Sequence, residues 1–139
     1  MVGKSLLKRN VKWKVLILDS AAVVRSMAKL TIESDTRFQV DIASTIDEAN
    51  RLEQLKIYDL IIVDFINHHE AKGLEFVEKI RQKQQNQNTY CIVLSNEDFS
   101  DNARQAEKLN IKAWLKKPFT PVGLMNAIST ILEPSTQTN

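Results

Sequence analysis

Four residues in this chain pair a chemically capable side chain with the same local setting. Asp19, Asp64, Ser95 and Lys117 each stand at the end of a short apolar run: Val15 to Leu18, Leu60 to Val63, Cys91 to Leu94 and Ile111 to Leu115. Ser20 and Asn96 follow two of them directly. One polar residue after a strand is an ordinary helix cap. Four of them after four separate runs are not explained by capping. Two carboxylates brought together resist joint ionisation unless a cation neutralises them. Lys117 can supply part of that charge. A hard divalent ion such as Mg²⁺, which takes oxygen ligands, can supply the rest.

The first three of these runs lack polar interruptions, as expected for strands covered on both faces, whereas Lys112 interrupts the fourth. Between them lie helical patterns. From Ala21 to Glu33 the apolar positions Val23, Val24, Met27, Leu30 and Thr31 recur at helical spacing. Arg37 to Ala43 alternates through Phe38, Val40 and Ile42 and predicts one more strand. Thr45 with Glu48 three residues on is a capping-box pattern, opening a helix with Ile46, Ala49, Leu52 and Leu55 inside. Leu74, Val77 and Ile80 mark the next helix. Phe99, Ala103, Ala106 and Leu109 mark a fourth, and Leu124, Ile128 and Ile131 a last one over Val122 to Leu132. Five strands alternating with five helices predict an α/β fold with a parallel sheet, because parallel neighbours need crossover connections. Right-handed crossovers put helices on both faces, a doubly wound arrangement. Ligands then gather at the carboxyl ends of the strands, where the four residues stand.

Composition narrows the alternatives. The 139 residues fit one domain, and 43% apolar with 26% charged residues excludes intrinsic disorder. No apolar run approaches the roughly 20 residues that span a bilayer, so a cytoplasmic domain with no membrane partner is expected. A net charge of +2 is too mild to argue for direct nucleic-acid binding. The lone Cys91, in an apolar run, reads as a core residue and excludes an internal disulfide framework. Three glycines leave no glycine-rich phosphate loop. The expected layout is a basic arm over 1–12, a domain over 13–133 and a polar tail over 134–139. His68 and His69 read as exposed loop histidines, since adjacent side chains diverge and no third nitrogen or sulfur ligand is nearby in sequence.

The frame KVLILDS, YDLIIVD, CIVLSN and AWLKKPFT, within a stretch from about Lys14 to Leu132, resembles the receiver domain of bacterial two-component response regulators. The resemblance implies a flavodoxin-like, CheY-like sheet of order 2-1-3-4-5 serving phosphorelay signal transduction. It implies that Asp64 accepts a phosphoryl group from a histidine kinase or phosphotransfer protein. Ser95 matches the hydroxyl residue that binds a phosphoryl oxygen, and Lys117 the lysine that pairs with it, its ammonium expected between Asp64 and Ser95. Trp114 matches the aromatic switch position. Mg²⁺ would be held by Asp19, Asp64 and the Ile66 backbone carbonyl.

Two departures stand out. The second acid after the first strand is Ser20 here, which leaves a formal site charge of −1 where an acid would give −2. The ion is therefore expected to bind weakly. The loop FINHHEAKG after Asp64 carries one extra residue and no Met-Pro pair. A degenerate receiver that works as an interaction module without phosphorylation is thus a second reading. A phosphatase of the haloacid dehalogenase type is a third, but it places its nucleophile after the first strand in a D-x-D pattern, where this chain has Asp19-Ser20-Ala21. The expected output is a downstream protein target on the helix 4, strand 5 and helix 5 surface, through Asn102, Gln105, Lys108, Lys112 and Trp114. A homodimer stays open. No enzymatic turnover is expected beyond loss of the chain's own phosphoryl group.

Overall fold

The computed structural model describes residues 12–82, 85–97 and 99–133. All of the basic arm but Lys12, and the polar tail, lie outside the described residues. Strands β1 (Trp13–Leu18), β2 (Phe38–Ala43), β3 (Leu60–Asp64), β4 (Tyr90–Ser95) and β5 (Ile111–Lys116) form one sheet of order β2-β1-β3-β4-β5. Every pairing is parallel. The doubly wound α/β fold read from the alternation, and the strand order implied by the resemblance, are both present.

The uninterrupted apolar runs divide by side-chain alternation between two cores. Leu16, Leu18, Ile61, Val63, Cys91 and Val93 face helices α2 (Ile46–Leu55) and α3 (Gly73–Arg81), packing with Ala49, Leu74, Phe76, Val77 and Ile80. Val15, Ile17, Leu60, Ile62, Ile92 and Leu94 face α1 (Ala22–Glu33) and α5 (Pro121–Leu132), packing with Ala28, Ile32, Leu124 and Ile128. β1 and β3 lie inside the sheet and between both layers, so their carboxyl ends are held rigidly. Among the described residues no helix is long and apolar enough to cross a membrane.

Local expectations fared unevenly. The Thr45–Glu48 capping box is present. Thr45 Oγ1 accepts from the Glu48 amide at 3.1 Å, and Glu48 Oε1 accepts from the amides of Thr45 (3.3 Å) and Ser44 (2.7 Å). The stripe expected on α1 is displaced: Val23 and Leu30 are 80% and 75% exposed, while Ala28 and Ile32 are buried. The helix packs along Val24, Ala28 and Ile32, spaced four apart, and the small Ala28 lets it sit close to the sheet. Ile42 continues the face of Phe38 and Val40 but lies on an edge strand and is exposed. The fourth helix is shorter than expected. A 3₁₀ turn at Phe99–Asp101 precedes α4 (Ala103–Lys108), and Phe99 packs on Trp114 at 5.8 Å between ring centres.

Candidate functional site

The sheet register delivers four side chains to one edge. Leu18 pairs with Val63 and Ser95 with Lys116, so Asp19, Asp64, Ser95 and Lys117 stand side by side at the carboxyl ends of β1, β3, β4 and β5. Loop bonds lock the alignment: the Phe65 amide donates to Leu94 O at 2.8 Å and the Lys117 amide to Ser95 O at 2.8 Å. The Lys117 ammonium donates to Asp19 Oδ2 at 2.9 Å and to Asp64 Oδ1 at 3.1 Å. Asp19 is fully buried, and Asp64 is 4% exposed.

The remaining carboxylate oxygens differ. Asp19 Oδ1 accepts from the Ala21 amide at 2.8 Å, and Arg25 donates to the Asp19 carbonyl at 2.8 Å. Asp64 Oδ2 meets the Ser20 hydroxyl at a long 3.5 Å. Burial raises the pKa of Asp64 above its ordinary value, the nearby Asp19 charge adds to that, and Lys117 opposes both. Burial alone would lower the pKa of Lys117. Its bond to Asp19 and the charges of both aspartates prevail and raise it.

One detail differs from expectation: Lys117 bridges the two aspartates rather than lying between Asp64 and Ser95. Carboxylates are the strongest acceptors within its reach. Ser95 Oγ instead accepts from the Glu97 amide at 2.7 Å. The Glu97 carbonyl in turn accepts from the Trp114 indole at 3.2 Å. Trp114 also packs against Phe65, the neighbour of Asp64, with ring centres 5.4 Å apart. Ser95 is thereby linked to Trp114 through one residue.

A cleft of ≈ 380 Å³ opens over Asp19, Ser20, Asp64, Ile66, Ser95 and Lys117. His68 and His69 also line it. They are exposed, as expected of loop histidines, but their place at the cleft was not anticipated. The Asn67 amide donates to Glu70 O at 2.8 Å, and the Glu70 amide donates to Asn67 O at 3.1 Å, closing a tight turn. His68 and His69 occupy its centre with φ of 50° and 67°. Such turns ordinarily carry Asn-Gly, so a His-His pair gives no turn signal in the sequence. Gly73 was also missed. A Cβ there would run into the Asp64 carbonyl oxygen and lie 2.9 Å from Phe65 Cα, so glycine is what lets α3 start against the end of β3. Its one available signal was a glycine just ahead of an apolar helical stripe.

Asp19, Asp64 and Ile66 all line the cleft, and carboxylate and carbonyl oxygens are the donors that a hard cation takes. Among the described residues no three His, Cys, Asp or Glu side chains converge as a metal cluster. An ion bound here would therefore keep several waters, as Mg²⁺ commonly does.

Comparison with known proteins gives a consistent result. The profile of the response regulator receiver domain matches residues 15–129. The transcriptional regulatory protein ResD of Bacillus subtilis is 25% identical over 126 residues, which are 91% of this chain and 50% of ResD. The chain thus spans about half the length of that relative. A chemotaxis protein CheY homolog of Campylobacter jejuni is 25% identical over 123 residues, covering 86% of this chain and 92% of the homolog. Among solved structures, chemotaxis protein CheY4 of Vibrio cholerae superposes with a TM-score of 0.80 at 29% identity, over 88% of this chain and 100% of CheY4.

Proposed function

The chain belongs to the response regulator receiver domain family, and on that premise we propose that Asp64 accepts a phosphoryl group from a histidine kinase or phosphotransfer protein. The observation that carries this reading is the unequal state of the two Asp64 oxygens. Oδ1 is held by Lys117, whereas Oδ2 meets the Ser20 hydroxyl at a long 3.5 Å beside the cleft. In the transfer, Oδ2 attacks phosphorus, the P–N bond to the donor imidazole breaks, and the nitrogen leaves with its electron pair. Ser95 accepts from the Glu97 amide, which leaves its own O–H able to donate to a phosphoryl oxygen. The Lys117 ammonium offsets the added negative charge. Asp19, Asp64 and the Ile66 carbonyl would hold Mg²⁺, which supplies charge neutralisation at the phosphoryl oxygens when bound.

The signal runs from Ser95 through Glu97 to Trp114, and out to a protein target on the surface of α4, β5 and α5. The domain spans 13–133 and works in the cytoplasm. Family membership leaves the phosphatase reading without support. The degenerate receiver is the second reading, favoured by Ser20 and by Lys117 already bridging both carboxylates. Intact-mass analysis after incubation with a small phosphodonor and Mg²⁺ decides between them. One added phosphoryl group, absent in Asp64→Ala, is expected. Unmodified wild-type protein across a wide range of donor and metal concentrations establishes the degenerate reading.

A further inference from the structure

We propose that Lys29 and Glu33 of α1 form a side-chain rung on β2 that closes this edge of the sheet to strand addition by a second copy of the chain. An open sheet has two edges, and each presents backbone donors and acceptors that another strand can pair. One edge strand, β5, carries the exposed Lys112 and Lys116, and lysines on an edge are a common guard. The other, β2, reads FQVDIA, with no lysine and no proline. Its one charged side chain, Asp41, is engaged by the Tyr58 hydroxyl and the Lys56 ammonium, at 2.7 and 2.9 Å. Ile42 on the same strand is 41% exposed. A guard for β2 has to come from elsewhere in the chain.

Register decides which backbone groups of β2 face outward. The amides of Trp13 and Asp19 in and after β1 donate to the carbonyls of Arg37 and Ala43, so the odd-numbered residues turn their backbone toward β1. Phe38, Val40 and Ile42 therefore turn theirs away from the sheet. At Val40, the central one, both groups are taken. Its amide donates to Glu33 Oε2 at 2.8 Å, and its carbonyl accepts from Lys29 Nζ at 2.8 Å. Lys29 and Glu33 are themselves paired at 3.1 Å, four residues apart on α1. One acceptor and one donor thus meet Val40 as a neighbouring strand would present them. The bond from the Val40 amide, with that from Lys29 added, holds the Glu33 carboxyl below its ordinary pKa, so the acceptor is charged at neutral pH. Where the strand begins, the Phe38 amide donates to the Asp35 carbonyl at 3.1 Å. A second copy running along this edge would have to displace an ion pair at its middle rung. The inference does not depend on phosphorylation of Asp64.

Analytical ultracentrifugation of the full chain tests this, with every variant compared with wild type at equal concentration. Lys29→Ala with Glu33→Ala removes the rung, leaves the net charge at +2 and puts the best helix former at both positions. Freeing two backbone groups for pairing should tighten self-association by about tenfold or more. Adding Ile42→Pro takes away an outward amide, a change tolerated on an edge strand, and should return the protein to the wild-type level. Glu33→Gln keeps an oxygen for the Val40 amide and should match wild type. So should Glu75→Ala with Lys79→Ala, which removes the same two charges from exposed positions on α3. In dilute solution the Val40 amide of the double variant should exchange with solvent about tenfold faster than in wild type. A double variant with unchanged circular dichroism that associates no more than wild type overturns the proposal. Association that survives Ile42→Pro also overturns it, because another surface would then be responsible. So does wild-type association that Ile42→Pro lowers, since the edge would already be open. Should the double variant lose its helical signal, the same comparisons made on Glu33→Ala alone decide the matter.

Discussion

Removing the Lys117 ammonium would leave Asp19 and Asp64 facing each other where little water reaches. Breaking a buried pair by deleting one partner costs about 3 kcal/mol. Lys117→Met should lose that much stability near neutral pH in urea unfolding. The raised pKa of Lys117 means that its contribution is present below its unfolded pKa and is lost as pH rises through its folded one, at the alkaline end. Asp64 carries the opposite sign. Its raised pKa means that the folded protein binds its proton more tightly than the unfolded chain, so ionised Asp64 costs stability above the folded pKa. Asp64→Asn should therefore raise the melting temperature at pH 7, and the gain should fade as pH drops into the carboxylate range. A constant gain across that range would refute the assignment. Ser20→Asp acts on the same balance, taking the formal site charge from −1 to −2. A net gain of about 1.4 kcal/mol would tighten Mg²⁺ binding tenfold. Unchanged Mg²⁺ affinity would show that position 20, although it lines the cleft, is not a ligand position.

The loop after β3 and the start of α3 answer to backbone geometry more than to side-chain chemistry. Replacing His68-His69 with Asn-Gly suits a turn with positive φ at both centres, and it should stabilise the fold by about 1 kcal/mol. Chemical denaturation checks this. Gly73→Ala should do the reverse, costing roughly 2 kcal/mol or more, because the added methyl meets backbone that cannot step aside. The same elements mark what the sequence made legible. The strands that end in Asp19, Asp64 and Ser95 could be read because burial on both faces leaves an apolar run whatever the alternation. The capping box could be read because it is local. The packed face of α1 could not, since Val23, Val24, Met27, Ala28, Leu30 and Ile32 offer two overlapping stripes and only the sheet selects between them. The His-His turn could not either, because its conformation is imposed by closure between Asn67 and Glu70 and by no propensity of its own.

Across the whole molecule, the Asp64 cleft sits where two cores meet. One layer of helices packs on Leu16, Ile61 and Val93, the other on Val15, Ile62 and Leu94, and Asp64 ends the strand common to both. The interior strands β1 and β3 should accordingly open last. Native-state hydrogen exchange should find their amides the slowest, and those of β5, whose side chains are half-buried or exposed, among the fastest in the sheet. Faster exchange in β3 than in β5 would contradict this hierarchy. The stack around Trp114 carries a spectroscopic consequence. An indole within 6 Å of two phenyl rings, one tilted and one edge-on, lays its ring current across both. The Phe65 and Phe99 ring protons should resonate away from the usual aromatic envelope and return to it in Trp114→Leu. Phe65 follows Asp64 directly, so its chemical shift would report the chemistry of the neighbouring carboxylate without any attached label.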